Sequence, residues 1–157
     1  MLKPAINTLR FLRDYGDSLL ADISASEFAD QPVPGMNPPA WIVGHMAYAL
    51  DRHATLVGLE PKLARWKDLF AKGSSPGGSP YPHKDNLVSA WREAIDRLIA
   101  GVEAAPDETL AGPNEYLPTE KLPTVGDFLT YSMAGHTATH LGQLSAWRRA
   151  AGRPPLF

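Results

Sequence analysis

The 157-residue chain contains no cysteine. Disulfides, thiolate nucleophiles and cysteine-bound zinc are therefore excluded, and a transition-metal site would have to use histidine and carboxylate ligands. The chain also lacks an excess of charge of either sign, since 15 Lys and Arg stand against 17 Asp and Glu. Without a basic stripe, nucleic acids and anionic membranes are poor partners, and we expect a small-molecule substrate.

Long apolar runs are missing as well. No stretch approaches the roughly 20 apolar residues that a bilayer requires, and the first residues lack the hydrophobic run of a signal peptide. We therefore expect a cytoplasmic protein with no membrane partner. Residues 1–157 are predicted to form a single domain, which at this length can bury a sizeable core without disulfide or metal support.

Proline is abundant, and its 15 positions divide the chain. Because proline is excluded from helix interiors, the four long stretches without it predict helices. These cover residues 5–23, residues 39–58, residues 85–104 and the segment after Thr124, which opens with a capping-box variant of Thr124 and Asp127. No segment shows strand alternation. The sequence therefore predicts an all-α four-helix bundle with long connections after helices 2 and 3. Within the first of these connections, the segment Gly73 to Pro82 is expected to be mobile.

Three histidines suggest a metal site. His136 and His140 are four residues apart on the last predicted helix, so both imidazoles face the same way, and His45 on the second helix can complete the set. All three lie on apolar helix faces, where an unpartnered imidazole costs a few kcal/mol. Core histidines satisfied by hydrogen bonds are the alternative interpretation. His53, rotated away from His45, and His83, beside a proline-rich loop, are not predicted as ligands, but His53 is a candidate for the mouth of the site.

Other catalytic motifs fit poorly. The histidine pair has the spacing of the zinc-peptidase motif His-Glu-x-x-His, but Thr137 stands where that motif carries its general base, which excludes a peptidase of that type. Gln143 lies one turn beyond His140 and is predicted either to orient a ligand or substrate or to pack at the end of the bundle. The remaining candidates for substrate contact are Tyr48, Asp51, Arg52 and Tyr131.

The sequence resembles the DinB-like (DinB/YfiT) superfamily over nearly the whole chain. The likeness is carried by Asn37, Trp-Ile-Val-Gly-His at 41–45, Gly-Asp-Phe-Leu at 126–129, the run 136–143 and the ending Arg-Arg-x-x-Gly-x-Pro at 148–154. The resemblance implies a four-helix bundle that holds one zinc or nickel ion through His45, His136 and His140, and it makes a homodimer an expectation. It also implies a metal-dependent transferase or isomerase that activates a low-molecular-weight thiol, or a hydrolase.

Two functional hypotheses follow. In the first, the three-histidine site is an enzyme centre at which a thiol or water becomes a nucleophile. In the second, the metal merely stabilises a non-catalytic bundle that binds a ligand or a partner. A structural site is closed by a fourth protein ligand, whereas a catalytic site keeps that position for solvent. A carboxylate from Asp51 or Glu115 on the ion would therefore favour the second hypothesis.

Overall fold

The described part of the protein is entirely helical. The computed structural model describes residues 2–74, 80–117 and 119–156. Within these ranges there is no strand, only an isolated β-bridge between Pro113 and Thr124. None of the helices in the described ranges is long and apolar enough to cross a bilayer. The all-α fold predicted from the sequence is thus confirmed.

The described ranges contain seven α-helices and one π-helical turn. The π turn, Tyr131–His136, joins the last two helices into one continuous rod. The α-helices, in chain order, are α1 Lys3–Leu20, α2 Pro39–His53, α3 Lys67–Phe70, α4 Lys84–Ala104, α5 Asp107–Ala111, α6 Val125–Thr130 and α7 Thr137–Ala150. Short 3-10 segments occur at Ala25–Glu27, Ala54–Val57 and Ala64–Trp66.

The helix that carries His45 lies in the middle of the molecule. Nearly every residue of α2 is buried, because α4 covers one side and α7, with the π turn, covers another. The first helix, α1, packs against α4, α7 and the π turn. Four long helical segments thus surround one apolar core, and α2 presents His45 towards the rod that carries His136 and His140.

The ends of the second helix and the start of α6 lie at the residues predicted from the sequence. The second helix begins at Pro39, continues into a 3-10 turn and stops at Gly58, whose φ of 81° suits glycine. At the start of α6, the Thr124 side chain accepts a hydrogen bond from the backbone N–H of Asp127 at 3.1 Å. The Asp127 carboxylate accepts one from the backbone N–H of Thr124 at 3.2 Å. The predicted capping box is present.

Some boundaries differ from the prediction. Helix α1 ends at Leu20 rather than at residue 23, and the long connections contain α3 and α5, which were not predicted. Helices of four or five residues are too short for an apolar period to show. Half of the segment Gly73 to Pro82, residues 75–79, lies outside the described ranges, and its mobility stays a prediction.

Candidate metal centre

Three histidines from two segments of the chain converge on one point. His45 comes from the middle of α2, His136 ends the π turn and His140 lies in the first turn of α7. One ring nitrogen of each lies within 4.8 Å of the others, and Nε2 of His45 is 3.3 Å from Nε2 of His136. His45 and His140 are buried, and His136 is half-buried. In the described part of the chain, no carboxylate belongs to this group.

Hydrogen bonds fix the protons of two of these imidazoles. The Nδ1–H of His45 donates to the backbone carbonyl of Phe70 at 2.7 Å. The Nδ1–H of His140 donates to Oε1 of Gln143 at 3.1 Å. Because carbonyl and amide oxygens only accept, both neutral rings carry their proton on Nδ1 and keep a lone pair on Nε2. This is the tautomer in which histidine binds a metal through Nε2.

The spacing of one pair of Nε2 atoms, those of His45 and His136, fits a shared cation. Two nitrogens bound to one tetrahedral zinc ion at about 2.0–2.1 Å lie about 3.3 Å apart. The observed distance between His45 and His136 has this value. Nitrogen donors with no thiolate and no carboxylate suit zinc, nickel or copper rather than calcium or magnesium. The residues present therefore fit a divalent transition-metal ion.

The three imidazoles are neutral at neutral pH. Burial lowers the pKa of His45, although its hydrogen bond to Phe70 acts in the opposite direction. Burial, followed by the charges that His140 and His45 would carry, lowers the pKa of His136 to about 4. Burial and then His45 lower the pKa of His140 to about 4, against the hydrogen bond to Gln143. Ligand nitrogens in this state need no deprotonation before they bind a metal.

Comparison with known proteins places the chain in a family. A family model of the DinB superfamily matches residues 8–144, a range that contains all three histidines. The chain belongs to the DinB superfamily. A solved structure described as a conserved protein from Enterococcus faecalis is 18% identical, with 98% of each chain covered and a TM-score of 0.77. That likeness supports the fold. No curated protein matches the chain.

Aromatic rings line the histidine cluster of this DinB-superfamily chain. The buried ring of Trp41 stacks on His45, with centroids 4.8 Å apart and planes 6° from parallel. Its Nε1–H donates to Oγ of Ser74 at 2.9 Å, which holds the indole in place. On another side the ring of Tyr131 lies 6.4 Å from His136 and is 43% exposed. The cluster thus has a closed aromatic wall at Trp41 and a solvent-facing one at Tyr131.

His53, a candidate for the mouth of the site and not for a ligand, lies buried beside the cluster. Its ring is buried 6.0 Å from that of His136, and its Nδ1 shares a hydrogen bond of 2.7 Å with Oγ of Ser132. Burial, then the charges of His136 and His45, lowers the pKa of His53 to about 3. Eight residues of α-helix separate it from His45, a rotation of about 80°. Its hydrogen bond to Ser132 on the facing rod is the contact that the sequence does not predict.

Gln143 is one of the predicted residues that the structure brings to the cluster. Although exposed, it contacts His140 as described, and its Oε1 also accepts a hydrogen bond from Nδ2 of Asn37 at 3.5 Å. Asn37, part of the family-like pattern, thereby connects the segment before α2 to the histidine pair. The hydrogen bond between Gln143 and His140 is the contact that the predicted role of Gln143 in orienting a ligand requires.

The carboxylates that could have closed the site lie elsewhere. Asp51 is 1% exposed, pairs with Arg97 at 2.6 Å and accepts hydrogen bonds from the backbone N–H groups of Lys62 and Leu63. Glu115 is exposed and is not a member of the histidine group. Neither carboxylate is therefore available as a fourth ligand in this arrangement.

Of the other predicted contact residues, Tyr131 is the one that borders the cluster. No ring contact in the described ranges links Tyr48 to the three histidines, and the charge of Arg52 acts on His53. Thr137 is fully buried, and its hydroxyl donates to the backbone carbonyl of Ser132 at 3.1 Å. His83 is exposed and caps α4 by accepting a hydrogen bond from the backbone N–H of Asp85.

Proposed function

We propose that this DinB-superfamily chain binds one divalent transition-metal ion, zinc or nickel, through His45, His136 and His140. The single observation that carries the proposal is the convergence of the three rings. The Nε2 lone pairs of His45 and His140 are freed by protons held on Nδ1, and the distance from His45 to His136 suits a shared ion. Neutral imidazoles at this spacing attract a cation, whereas two unprotonated nitrogens alone would repel each other.

We further propose that the centre is catalytic. Catalytic zinc sites use three protein ligands and leave a position for substrate, whereas structural sites are closed by a fourth. The described residues add no carboxylate to the three histidines, and Asp51 is already paired with Arg97. An open position on an ion in an aromatic-walled site supports chemistry on a small molecule more than it supports a purely stabilising role.

The reaction we favour is thiol-dependent transfer or isomerisation, or else hydrolysis. A divalent ion with three neutral ligands keeps its full charge, and it lowers the pKa of a thiol or of water that reaches it. The protein residues supply orientation and shielding. Phe70 and Gln143 hold two of the imidazoles, Trp41 excludes water from one side, and the exposed ring of Tyr131 offers an apolar surface to the body of a substrate.

A ligand-binding experiment tests the catalytic proposal. The nickel-loaded protein is mixed with a low-molecular-weight thiol such as glutathione, and the thiolate-to-nickel charge-transfer absorption is recorded. Turnover of the same thiol with an aryl halide, and hydrolysis of an activated ester without thiol, are then measured. We expect the absorption band and one of the two activities in the parent, and neither in His140→Ala.

The non-catalytic alternative makes the opposite prediction. A closed site would give no absorption band and no activity, while removal of the metal would lower the melting temperature strongly. This result would show that the metal serves the stability of a binding module. A preserved melting temperature after metal removal, together with a band on addition of thiol, would support the enzyme.

A further inference from the structure

His136 differs from the other two histidines of the cluster in how it is held. His45 and His140 each donate a proton to a fixed oxygen, from Phe70 and Gln143. The Nδ1 atom of His136 is buried and has no hydrogen-bond partner among the described residues. Outer hydrogen bonds normally orient histidine ligands. With no such bond, the position of His136 depends more strongly on the backbone that carries it.

That backbone is the π turn. The N–H of Thr137 donates to the carbonyl of Ser132 five residues back, and the Thr137 hydroxyl donates to the same oxygen at 3.1 Å. The turn adds one residue to the rod. Phe128 and Trp147 are both buried and lie 19 positions apart, whereas five turns of straight α-helix cover about 18. Single π turns are rare and often mark functional sites, and this one ends at His136.

A side-chain bond from α2 anchors the π turn. Ser132, which is fully buried, shares the 2.7 Å hydrogen bond with Nδ1 of His53. The His53 ring is fixed in turn by edge contacts with Tyr116 and Phe128, at centroid distances of 5.0 and 4.8 Å. The same helix therefore carries His45 into the cluster and, through its last residue, holds the turn that carries His136.

We infer that His53 and Ser132 are positioning residues, which hold the π turn so that the His136 imidazole meets those of His45 and His140 on one metal ion. This inference rests on the proposed metal binding and extends it. It assigns no chemical step to the pair, since neither residue belongs to the group of three that could hold the ion. Loss of their hydrogen bond should weaken metal binding and change its geometry without removing a ligand.

The test uses cobalt as the probe, because its visible spectrum reports ligand number and geometry. Cobalt affinity, measured by competition with a chelator, and the spectrum are compared for the parent, Ser132→Ala, His53→Phe and the double variant. We expect each single variant to lose about 10- to 100-fold in affinity, with an altered spectrum. If the two residues act through one hydrogen bond, the cobalt affinity of the double variant should be no lower than that of the single variant with the lower affinity.

Two controls separate positioning from general damage. Thr139→Ala removes a hydroxyl between His136 and His140 that donates to the carbonyl of Gly135 in the same rod, and the variant should bind cobalt as the parent does. Asp51→Asn weakens a buried ion pair on α2, and should lower the melting temperature of the metal-free protein without a change in the cobalt spectrum. Circular dichroism checks folding. Should one variant of the pair not fold, the other decides the outcome.

The results distinguish this inference from the proposed function. If Ser132→Ala and His53→Phe bind cobalt with the affinity and spectrum of the parent, the positioning role is wrong while the metal site stands. The same holds if they only lose melting temperature, as Asp51→Asn does. If the parent itself binds neither cobalt nor zinc, the proposed function fails, and the positioning role fails with it.

Discussion

The Nδ1–H of His45 donates to the backbone carbonyl of Phe70 over 2.7 Å, so the last residue of a four-residue helix sets the tautomer of a histidine in the central helix. The side chain of Phe70 lies against Gly44, the residue before His45. A Cβ atom at Gly44 would overlap the Phe70 ring. The glycine thus allows the close approach that brings this carbonyl to the imidazole.

Substitution of Gly44 should disturb both stability and metal binding. In Gly44→Ala the Phe70 ring must shift, and an overpacked core costs about 1–3 kcal/mol in the free energy of unfolding. The carbonyl that holds His45 shifts with it, so we expect weaker zinc binding as well. Urea denaturation of the metal-free protein and chelator competition for zinc measure the two effects.

Gly142 provides the matched control. It also lies near a cluster histidine, but nothing stands within 4 Å of a Cβ placed there. Because it occupies an exposed helix position, Gly142→Ala should stabilise the protein by up to about 1 kcal/mol and leave zinc affinity unchanged. Equal effects of the two substitutions on zinc affinity would contradict the role given to Gly44.

Removal of the Gln143 acceptor should weaken the metal site. Gln143→Leu leaves the Nδ1–H of His140 without its oxygen, and loss of such an outer partner typically reduces metal affinity 10- to 100-fold. Gln143→Glu keeps an oxygen acceptor on a side chain of the same length and should retain tight zinc binding. Zinc competition titrations of both variants check this. An affinity in Gln143→Leu equal to that of the parent would leave Gln143 with a packing role only.

The depressed pKa values predict how metal is lost in acid. Since His136 and His140 titrate at about 4 in the folded protein, the ligands stay neutral well below the ordinary histidine value of about 6.5. Zinc should therefore be retained as the pH falls through 6 and released as it approaches 4. Equilibrium dialysis across this range measures the release. Half-release of the metal near pH 6.5 would contradict the burial assigned to these rings.

The same shifts make the metal-free protein less stable in acid. Between about pH 6.5 and 4 the unfolded chain binds protons that the folded histidines do not, so the free energy of unfolding falls as the pH is lowered. Each such histidine contributes up to about 1.4 kcal/mol per pH unit. Urea denaturation at pH 7 and 5 should show a smaller fall for the His45, His136 and His140 triple alanine variant. An equal fall in the free energy of unfolding of both proteins would exclude these histidines as the source of the pH dependence.

Asp51 should matter for stability and not for the metal. Its buried carboxylate pairs with Arg97, so Asp51→Asn leaves the guanidinium without its counter-charge at a cost of about 3 kcal/mol. Glu93→Gln, which removes the exposed ion pair with Lys62, should cost less than about 1 kcal/mol. Denaturation and metal analysis of both variants test the contrast. Loss of metal in Asp51→Asn would instead tie this carboxylate to the site.

The helices and the three histidines could be predicted because local rules govern them. Proline positions and the capping box at Thr124 define where helices start, and spacing on one helix face brings His136 and His140 together. The convergence with His45 also follows from the family-like pattern. These features depend on residues within a few turns of each other, or on a recognisable motif.

The rest of the site depends on contacts between distant segments. Helix α3 is too short to carry an apolar period, so the carbonyl of Phe70 could not be foreseen beside His45. The π turn adds one residue to the rod, and the spacing of apolar residues does not reveal it. The hydrogen bond between His53 and Ser132 joins two distant segments, and no spacing within either helix indicates it.

Metal binding by His45, His136 and His140 is the property on which the proposed function depends. Its most direct test is the metal content of the purified, untagged protein by mass spectrometry, beside the triple alanine variant of these residues. We predict close to one zinc or nickel ion per chain in the parent and none in the variant. A parent without metal, with a melting temperature that added zinc and nickel leave unchanged, would contradict it.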